Sequence, residues 1–325
     1  MKEITIVIPN FNGKAYLEEC LKALEMQDAD TPEFVVLVVD NGSTDGSLQL
    51  LAEKWPEVMC IALEENTGFC HAVNIGIQES KTPYVILLNN DTKVKSGFVK
   101  GLYHAILRKK TIFSVSAKML MWDKPELVDD AGDYYCVLGW AVARGKGKKA
   151  VNYQEPKEVF SACAGAAIYR KAIFEEIGLF DEEHFAYMED LDIGYRARIY
   201  GYCNWYEPSA EVLHFGSAST GSRYNERKTT LASANNIYVV GKNMPLLQLL
   251  LNFPFLLLGF FVKFLFFCKK GMGMLYLKGL CQGIKRCFSK AGRSHKVAFQ
   301  GKHFWNYCKV QGLLYRNTLQ IIMKS

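Results

Sequence analysis

The chain has 325 residues, enough for one large domain with an appendage or for two domains, and half of the residues are hydrophobic. Its ten cysteines are scattered without a C-x-x-C pair, and its first residues are strand-like and do not resemble a secretory signal. These features argue against an exported, disulfide-bonded protein and favour a reducing cytosolic setting with free thiols.

The net charge of +6 conceals an uneven distribution of charge along the chain. All 33 acidic residues lie at or before Glu226 together with 23 Lys and Arg, whereas the last 99 residues carry 16 basic side chains and no carboxylate. An acidic body with a basic, apolar-rich tail predicts an anionic surface as partner. Nucleic acid and anionic lipid are the two candidates.

Predicted strands and helices alternate through the first third of the chain. Apolar runs predict strands at Ile4–Pro9, Phe34–Val39, Val58–Leu63, Tyr84–Leu88 and Ile112–Ala117. Helical patterns follow the first four strands, near residues 14–27, 43–55 (with Ser43 or Thr44 as the cap), 69–79 and 95–109. This alternation predicts βαβ units and a largely parallel sheet. The two common glycine-rich phosphate loops, G-x-G-x-x-G and G-x-x-x-x-G-K-[ST], are absent.

Polar residues follow the predicted strand Tyr84–Leu88 directly, in the order Asn89, Asn90, Asp91. Ligands of open α/β sheets bind outside the carboxyl ends of the strands. A carboxylate at that place suits a divalent metal that bridges to phosphate oxygens. The same three residues are also typical of a plain turn. Asp40 has a similar position after the second strand, where it is either a ribose or base ligand or a turn residue.

Beyond residue 118 the alternation stops. Asp129–Gly147 is rich in Gly and Tyr and predicts a hairpin or an irregular lobe. Val159–Tyr169 predicts a strand of small residues that a ligand or another backbone can approach closely. Glu189-Asp190-Leu191-Asp192 opens a predicted helix, and Val212–Gly216 predicts a strand end that carries His214.

Seven of these motifs occur in the order seen in family 2 glycosyltransferases. They are Ile8–Gly13, Val38–Gly46, Asn66–Phe69, Leu88–Thr92, Gly178–Glu182, Glu189–Asp192 and Leu213–His214. The resemblance covers about residues 3–220 and is nearest to bacterial rhamnosyltransferase-like members. It implies an α/β fold of the GT-A type, a nucleotide-sugar donor, a divalent metal and inversion at the anomeric carbon.

The resemblance also implies roles for single residues. The donor-binding positions that it implies are Pro9, Asn10, Asp40, Asn66, Gly68, Asn74, Asn89, Asn90 and Asp91. Asp91 matches the last acid of the family's D-x-D motif, whereas Asn89 stands at the first position, so one strong metal carboxylate remains. His214 matches a metal ligand of some relatives, although a histidine after a strand also fits a structural role. Asp190 matches the catalytic base.

Elementary chemistry is compatible with these roles. Asp190 falls in the first turn of its predicted helix, where the macrodipole favours a negative charge and hence an ionised base. Asp192 has Arg196 as an i+4 partner, which favours a structural role, and Glu189 could serve either purpose. The implied metal is Mg²⁺ or Mn²⁺, and an imidazole ligand favours Mn²⁺. It would stabilise the leaving diphosphate as a Lewis acid.

The segment Pro245–Cys268 is apolar and would form a helix of about 36 Å, which is long enough to cross a bilayer. A full crossing would place the last 57 residues outside with 12 Lys and Arg, against the positive-inside tendency. A helix or kinked hairpin embedded from the cytosolic side is therefore favoured, with anionic lipid and no nucleic acid as partner. A buried core helix is the alternative.

The sequence thus predicts a GT-A domain over residues 1–226 and a membrane-associating helical tail over residues 227–325. The expected protein is a metal-dependent, inverting glycosyltransferase on the cytoplasmic face of a membrane, as a peripheral or monotopic protein. Its expected donor is a nucleoside-diphosphate-sugar and its acceptor a lipid-linked glycan, in polysaccharide or glycoconjugate assembly. No tryptophan follows an arginine, so the Q-x-x-R-W motif of processive synthases is absent and a single addition is expected. The alternatives are a nucleotidyltransferase and a catalytically inactive relative acting as a membrane scaffold.

Overall fold

The computed structural model describes residues 2–216 and 225–323. Its strands are β1 (Ile4–Asn10), β2 (Phe34–Asn41), β3 (Met59–Leu63), β4 (Tyr84–Leu88), β5 (Thr92–Val94), β6 (Ile112–Met121), β7 (Lys124–Asp130), β8 (Asp133–Tyr135), β9 (Ala141–Ala143), β10 (Lys157–Val159), β11 (Ala166–Arg170) and β12 (Cys203–His214). Its helices are α1 (Lys14–Glu25), α2 (Ser47–Lys54), α3 (Phe69–Glu79), α4 (Phe98–Leu107), α5 (Phe174–Ile177), α6 (Glu189–Ile199), α7 (Glu226–Asn243), α8 (Leu246–Lys269), α9 (Gly273–Phe288), α10 (Lys290–Ser294) and α11 (Phe304–Ile322).

One mixed sheet forms the centre of the fold, with the strand order β10-β12-β6-β11-β4-β1-β2-β3. β1 pairs in parallel with β2 and β4, β2 with β3, and β6 with β12, whereas β11 lies antiparallel between β4 and β6. β5 and β7 pair with β12 and β6, and β8 and β9 form a separate hairpin. The predicted α/β fold with a mixed, mostly parallel sheet is confirmed.

Both faces of the central strands β1, β4, β6 and β11 are buried, which explains their continuous apolar runs in the sequence. Ile4, Ile6 and Ile8 of β1 pack on the face that α1, α2 and α4 cover. Val7 faces the opposite layer, where α3, α5 and α6 pack. The carboxyl ends of the parallel strands β1, β2 and β4 consequently lie at one edge of a rigid sheet.

Two local expectations are wrong. Val159–Tyr169 is not one strand, because the carbonyl of Phe160 accepts side-chain hydrogen bonds from Arg198 and Asn204 and the chain leaves the sheet until Ala166. The second helix is not capped by Ser43 or Thr44; it begins at Ser47, and the hydroxyl of Ser43 accepts the backbone N–H of Asn12.

The C-terminal helices pack on the body and share a core with it. Residues of α7, α8 and α11 pack against α6 and against the hairpin β8–β9. α8 is the one helix within the described residues that is long and apolar enough to cross a membrane, by length and composition alone.

A buried ion-pair cluster fastens α7 to the body. Nζ of Lys242 lies 2.6 Å from Oδ2 of Asp181 and 2.9 Å from Oδ2 of Asp192. Arg196 and Asn243 bind Asp192 as well, so the expected pairing of Asp192 with Arg196 is confirmed. Burial opposes ionisation of Asp192, but Arg196 and Lys242 outweigh it and lower the pKa far below its usual value.

We expect Lys242→Met to lower the free energy of unfolding by about 3–5 kcal/mol, because it leaves two buried carboxylates without their shared cation. Thermal unfolding followed by circular dichroism measures the effect. Lys285→Met removes an exposed lysine of α9 and is the matched control, for which we expect a change within about 0.5 kcal/mol. Equal melting of the two variants would contradict the structural role of the cluster.

Candidate active site

Asp91 and His214 lie side by side although they are far apart in the chain. The turn between β4 and β5 carries Asp91, and β5 pairs with the end of β12 so that Thr92 lies opposite His214. Nε2 of His214 lies 3.5 Å from Oδ1 of Asp91. The two side chains predicted to bind a metal therefore meet at one point.

Asp129, at the end of β7, holds the other side of the His214 ring. Its Oδ2 lies 2.8 Å from Nδ1 of His214, and its Oδ1 lies 2.5 Å from Nζ of Lys146. Burial disfavours the Asp129 anion, but His214 and Lys146 outweigh it and lower the pKa to about 2. Burial also opposes the charge on His214, yet the hydrogen bonds with Asp129 and Asp91 raise its pKa to about 9.

This arrangement fits a divalent metal ion. Histidine ligands in proteins commonly donate their second ring nitrogen to a carboxylate, which fixes the ring and directs the first nitrogen at the metal. Asp129 holds Nδ1 of His214 in this way, and Nε2 faces Asp91. A metal would displace the proton that Nε2 carries, and one imidazole nitrogen and one carboxylate would then serve as ligands, a set that is compatible with Mn²⁺.

Asn10, Asp40 and Asn90 form a hydrogen-bonded chain across the ends of β1, β2 and β4. Nδ2 of Asn90 donates to Oδ1 of Asn10, and Nδ2 of Asn10 donates to Oδ2 of Asp40, each over 2.7 Å. The backbone N–H of Ser43 donates to the other oxygen of Asp40. Pro9 precedes Asn10 in β1. The structure therefore brings four of the predicted donor-binding residues together at one edge of the sheet.

The loop before α3 joins the same edge. Nδ2 of Asn41, the last residue of β2, donates to Oδ1 of Asn66 and to the carbonyl of Gly68 over 3.2 and 3.0 Å. Gly68 has a φ of +94°, and a Cβ at this position would lie 2.7 Å from the ring of Phe185. A larger residue would be strained and would push the Phe185 segment away from the loop.

Asn74 does not reach this group. Its Nδ2 donates to the carbonyl of Phe180 over 2.8 Å and to Oε1 of Glu182 over 2.9 Å, while its Oδ1 accepts the N–H of Phe180. With both ends of the amide used in this way, Asn74 fastens the segment that precedes α6.

Asp190 lies at the start of α6, directly after a strained stretch of backbone in the chain. Phe185, Tyr187 and Met188 all have positive φ values of 59° to 71°, a region that residues other than glycine rarely adopt. Asp190 is half-buried, and its Oδ1 accepts the N–H of Leu191. Burial raises its pKa despite the backbone hydrogen bonds, to about 6, so the group remains mostly ionised at neutral pH.

The acids around Asp190 share its environment. Burial and the Asp190 charge raise the pKa of Glu189, and Oε2 of Glu189 has no hydrogen-bond partner among the described residues. Burial likewise raises the pKa values of Asp130 and Asp133, and the Asp190 charge adds to the effect. No lysine or arginine is paired with these four acids within residues 2–216 and 225–323, apart from a weak effect of Lys146 on Asp130.

The environments of Asp91 and Asp190 are joined from two sides. On one side, the N–H of Asn89 donates to the carbonyl of Gly165, and the neighbouring Ala164 provides a backbone hydrogen bond to Asp190. On the other side, Asp129 binds His214, and the adjacent Asp130 interacts with Asp190. Short chains of contacts therefore connect the surroundings of Asp91 with those of Asp190, and their membership of one site stays a prediction.

Four of these residues, Asp129, Asp130, Asp133 and Lys146, are not among the site residues that the sequence predicts. Asp129 and Asp130 end a strand as Asp91 follows one, but only Leu127 and Val128 form an apolar run before them. The sequence signal for this position is therefore much weaker than that for Asp91.

A second group of side chains also has metal-like spacing. One ligand atom each of Asp181, His184 and Asp192 lies within 4.8 Å of the others. Lys242 already supplies the positive charge there, and burial lowers the pKa of His184 to about 4, so its ring is neutral. This group is part of the ion-pair cluster that fastens α7.

Comparison with known proteins identifies the family. Residues 5–178 match the model of Glycosyl transferase family 2. The chain is 30% identical over 242 residues to N-acetylglucosaminyl-diphospho-decaprenol L-rhamnosyltransferase of Mycobacterium tuberculosis, covering 67% of this chain and 78% of that protein.

Solved structures show a similar fold. GalNAc-T7 with UDP, GalNAc and Mn²⁺ is similar with a TM-score of 0.60 and 17% identity, over 74% of this chain and 48% of that chain, so this chain spans about half of its length. The mannosyltransferase PcManGT from Pyrobaculum calidifontis with GDP-Man and Mn²⁺ has a TM-score of 0.50 and 16% identity, over 99% of this chain and 88% of that chain. The family match and the rhamnosyltransferase relative together show that this chain is a glycosyltransferase and belongs to glycosyl transferase family 2.

Proposed function

We propose that this enzyme transfers a sugar from a nucleoside-diphosphate-sugar to a hydroxyl group with inversion at the anomeric carbon, and that it uses a divalent metal. The observation that supports the proposal is the contact of His214 with both Asp91 and Asp129, together with the electrostatic interaction of the adjacent Asp130 with Asp190. GalNAc-T7 and PcManGT, which share the fold, were crystallised with UDP and GDP-Man, each with Mn²⁺. Family membership favours sugar transfer over the alternative of nucleotidyl transfer.

The donor side of the site is assigned to the edge formed by β1, β2 and β4. Asn10 and Asp40 would offer amide and carboxylate groups to the nucleoside, and the loop of Asn66 and Gly68 borders the same edge of the sheet. Asp91 and Nε2 of His214 would hold the metal beside the diphosphate, with Asp129 fixing the imidazole ring. When bound, the metal would stabilise the negative charge that develops on the leaving diphosphate.

Asp190 is assigned as the general base. Its carboxylate accepts the proton of the acceptor hydroxyl while the hydroxyl oxygen forms the bond to C1 of the sugar. The bond between C1 and the diphosphate oxygen breaks at the same time, and the diphosphate leaves with the electron pair. Because the acceptor oxygen enters opposite to the leaving group, a single displacement inverts the configuration at C1.

The acceptor is proposed to be a lipid-linked glycan at the cytoplasmic face of a membrane, in the assembly of a polysaccharide or glycoconjugate. The Mycobacterium tuberculosis relative is named for a diphospho-decaprenol acceptor. The basic tail without carboxylates and the exposed apolar helix α8 provide a surface for anionic lipid.

We expect Asp190→Asn to retain donor binding and to lower the transfer rate by about 10²–10⁴-fold, because the amide cannot accept the proton. Release of nucleoside diphosphate in the presence of an acceptor measures transfer, and titration calorimetry measures donor binding. Asp30→Asn, an exposed change far from the site, is the matched control. Normal turnover by Asp190→Asn would remove the base assignment, and an inactive wild-type enzyme that still binds membranes would favour the scaffold alternative.

The raised pKa of Asp190 predicts an acid limb in the dependence of kcat/KM on pH. The base must be ionised, so activity should rise as pH increases through about 6, the pKa of Asp190 set by its burial and its backbone hydrogen bonds. The titratable groups that face it are Glu189, Asp130, Asp133 and the thiol of Cys163. Circular dichroism over the same range checks that the fold persists. An acid limb near pH 4, the ordinary value for aspartate, is the contradicting result.

We expect Asp129→Asn to weaken Mn²⁺ binding by roughly 10–100-fold, because the His214 ring loses the carboxylate that orients it. Electron paramagnetic resonance of free Mn²⁺ measures binding without any need for turnover. Asp123→Asn, an exposed change in the same region of the chain, is the control. Unchanged Mn²⁺ affinity in Asp129→Asn would argue against His214 as a ligand.

A further inference from the structure

Helix α8 touches the body along one narrow stripe and is exposed elsewhere. Gln248, Asn252, Leu256 and Gly259 are buried, with spacings of four, four and three residues that place them on one side of the helix. Twelve Leu, Phe and Val side chains between residues 246 and 266 are exposed around the remaining sides. Because α8 is strongly apolar and the body covers only this stripe, its exposed sides require an apolar partner.

The first half of the stripe is polar and fully engaged. Oε1 of Gln248 accepts the hydroxyl of Tyr195 in α6 over 2.9 Å. Gln248 and Asn252 both donate to Gln311 of α11, and Gln311 donates back to Asn252 over 2.7 Å. Buried amides that satisfy each other in this way fix both the position and the rotation of α8.

The second half of the stripe meets the loop of the hairpin β8–β9. The carbonyl of Gly259 accepts Nε1 of Trp140 over 3.0 Å. A Cβ on Gly259 would lie only 2.1 Å from the carbonyl oxygen of Leu138, so the helix backbone and the loop backbone are in direct contact. The same hairpin begins at Asp133, one of the acids that surround Asp190.

These contacts are incompatible with a helix that crosses a bilayer. From Gln248 to Gly259 about 16 Å of α8 is fixed to the body, and the ten residues after Gly259 add only about 15 Å. The hydrocarbon core of a bilayer is about 30 Å thick. A crossing helix would have to break the stripe and bury its amides and their partners in lipid.

We propose that α8 lies in the plane of the membrane surface and that, through Gly259 and Trp140, it holds the acid-bearing hairpin at a fixed height above an anionic leaflet. This inference rests on the proposed membrane location of the enzyme and adds its geometry. The amphipathic helix α9 supports it, because Met274, Ile284 and Phe288 are exposed along one side beside Lys278 and Lys285. A leaflet with anionic lipid matches both the apolar and the basic side chains of this surface.

A lipid-linked acceptor would then meet the hairpin where it leaves the membrane. The hairpin is held from both sides, by α8 at Trp140 and by α11, where Nδ2 of Asn317 donates to the carbonyl of Tyr135 and the hydroxyl of Thr318 accepts the N–H of Val137. The depth of α8 in the lipid thereby sets the distance between the membrane surface and the acids around Asp190.

The side of the membrane on which the C-terminus lies is the first test. The full chain with a C-terminal epitope is expressed in bacteria, and protease is added to spheroplasts and to inverted membrane vesicles. We expect cleavage of the epitope only in inverted vesicles, where the catalytic body is also accessible. Cleavage in intact spheroplasts would mean that α8 crosses, which overturns this inference but leaves the proposed membrane location intact. A fully soluble protein would overturn both.

The coupling between membrane and hairpin is the second test. Hydrogen exchange followed by mass spectrometry is compared with and without vesicles of phosphatidylglycerol and phosphatidylcholine. In the wild type we expect slower exchange in residues 246–269 and also in residues 133–143. In Gly259→Ala the hairpin should lose this response while the helix keeps it. Gly312→Ala in α11, where a Cβ would meet nothing within 4 Å, is the matched control and should behave as the wild type.

Trp140→Phe removes the hydrogen bond to Gly259 without a steric clash, so it decides the result if Gly259→Ala does not fold. The coupling would be overturned if vesicles did not slow hydrogen exchange in the hairpin of the wild type. It would also be overturned if vesicles slowed that exchange equally in Trp140→Phe. Dimers that form through α8 without lipid and are not displaced by vesicles would show that a second copy of the chain, and not a membrane, covers this surface.

Discussion

The pairing of β5 with β12 is the constraint on which the site depends. β5 has three residues, yet its register places Thr92 opposite His214 and so brings Asp91 to the imidazole. β12 also runs parallel to β6, and β6 pairs with β7, whose end delivers Asp129 to the other ring nitrogen. Backbone ladders therefore set the relative positions of three side chains from distant parts of the sequence. A site held in this way is preorganised, because little rearrangement is needed when a ligand binds.

Helix α6 carries two kinds of buried carboxylate with opposite electrostatics. Asp192 faces Arg196 and Lys242, and these cations lower its pKa although the side chain is completely buried. Glu189 and Asp190, one turn or less away, face other acids, and burial raises their pKa values. Desolvation acts on all three groups, and the presence or absence of a nearby cation decides the sign of the shift. One helix thus joins a structural anchor to a group whose proton affinity is suited to base catalysis near neutral pH.

The sheet and the main acids could be predicted from the sequence because their signals are local. A five-residue apolar run followed by Asn-Asn-Asp indicates both a buried strand and the edge at which it ends, and β4 with Asp91 conforms to it. The partner of His214 could not be predicted, because Asp129 reaches the ring through the pairing of β6 with β7, which includes register shifts. The macrodipole at the start of α6 is a local effect that the sequence indicates. The raised pKa of Asp190 could not be predicted, because burial is a property of the whole fold.

The uneven distribution of charge along the chain corresponds to two parts of the folded protein. The body, which ends near Glu226, carries the carboxylates, and the helices that follow carry 16 basic residues and the exposed apolar surface. At the proposed membrane location, an anionic leaflet would attract the basic tail and repel the acidic body, and so would orient the protein with its tail toward the lipid. The ion pairs of Lys242 with Asp181 and Asp192 are among the contacts that join these two parts. Because Asp192 of this cluster lies on α6, the helix that also carries Asp190, an orientation set by the proposed membrane contact would be transmitted to the proposed base through one helix.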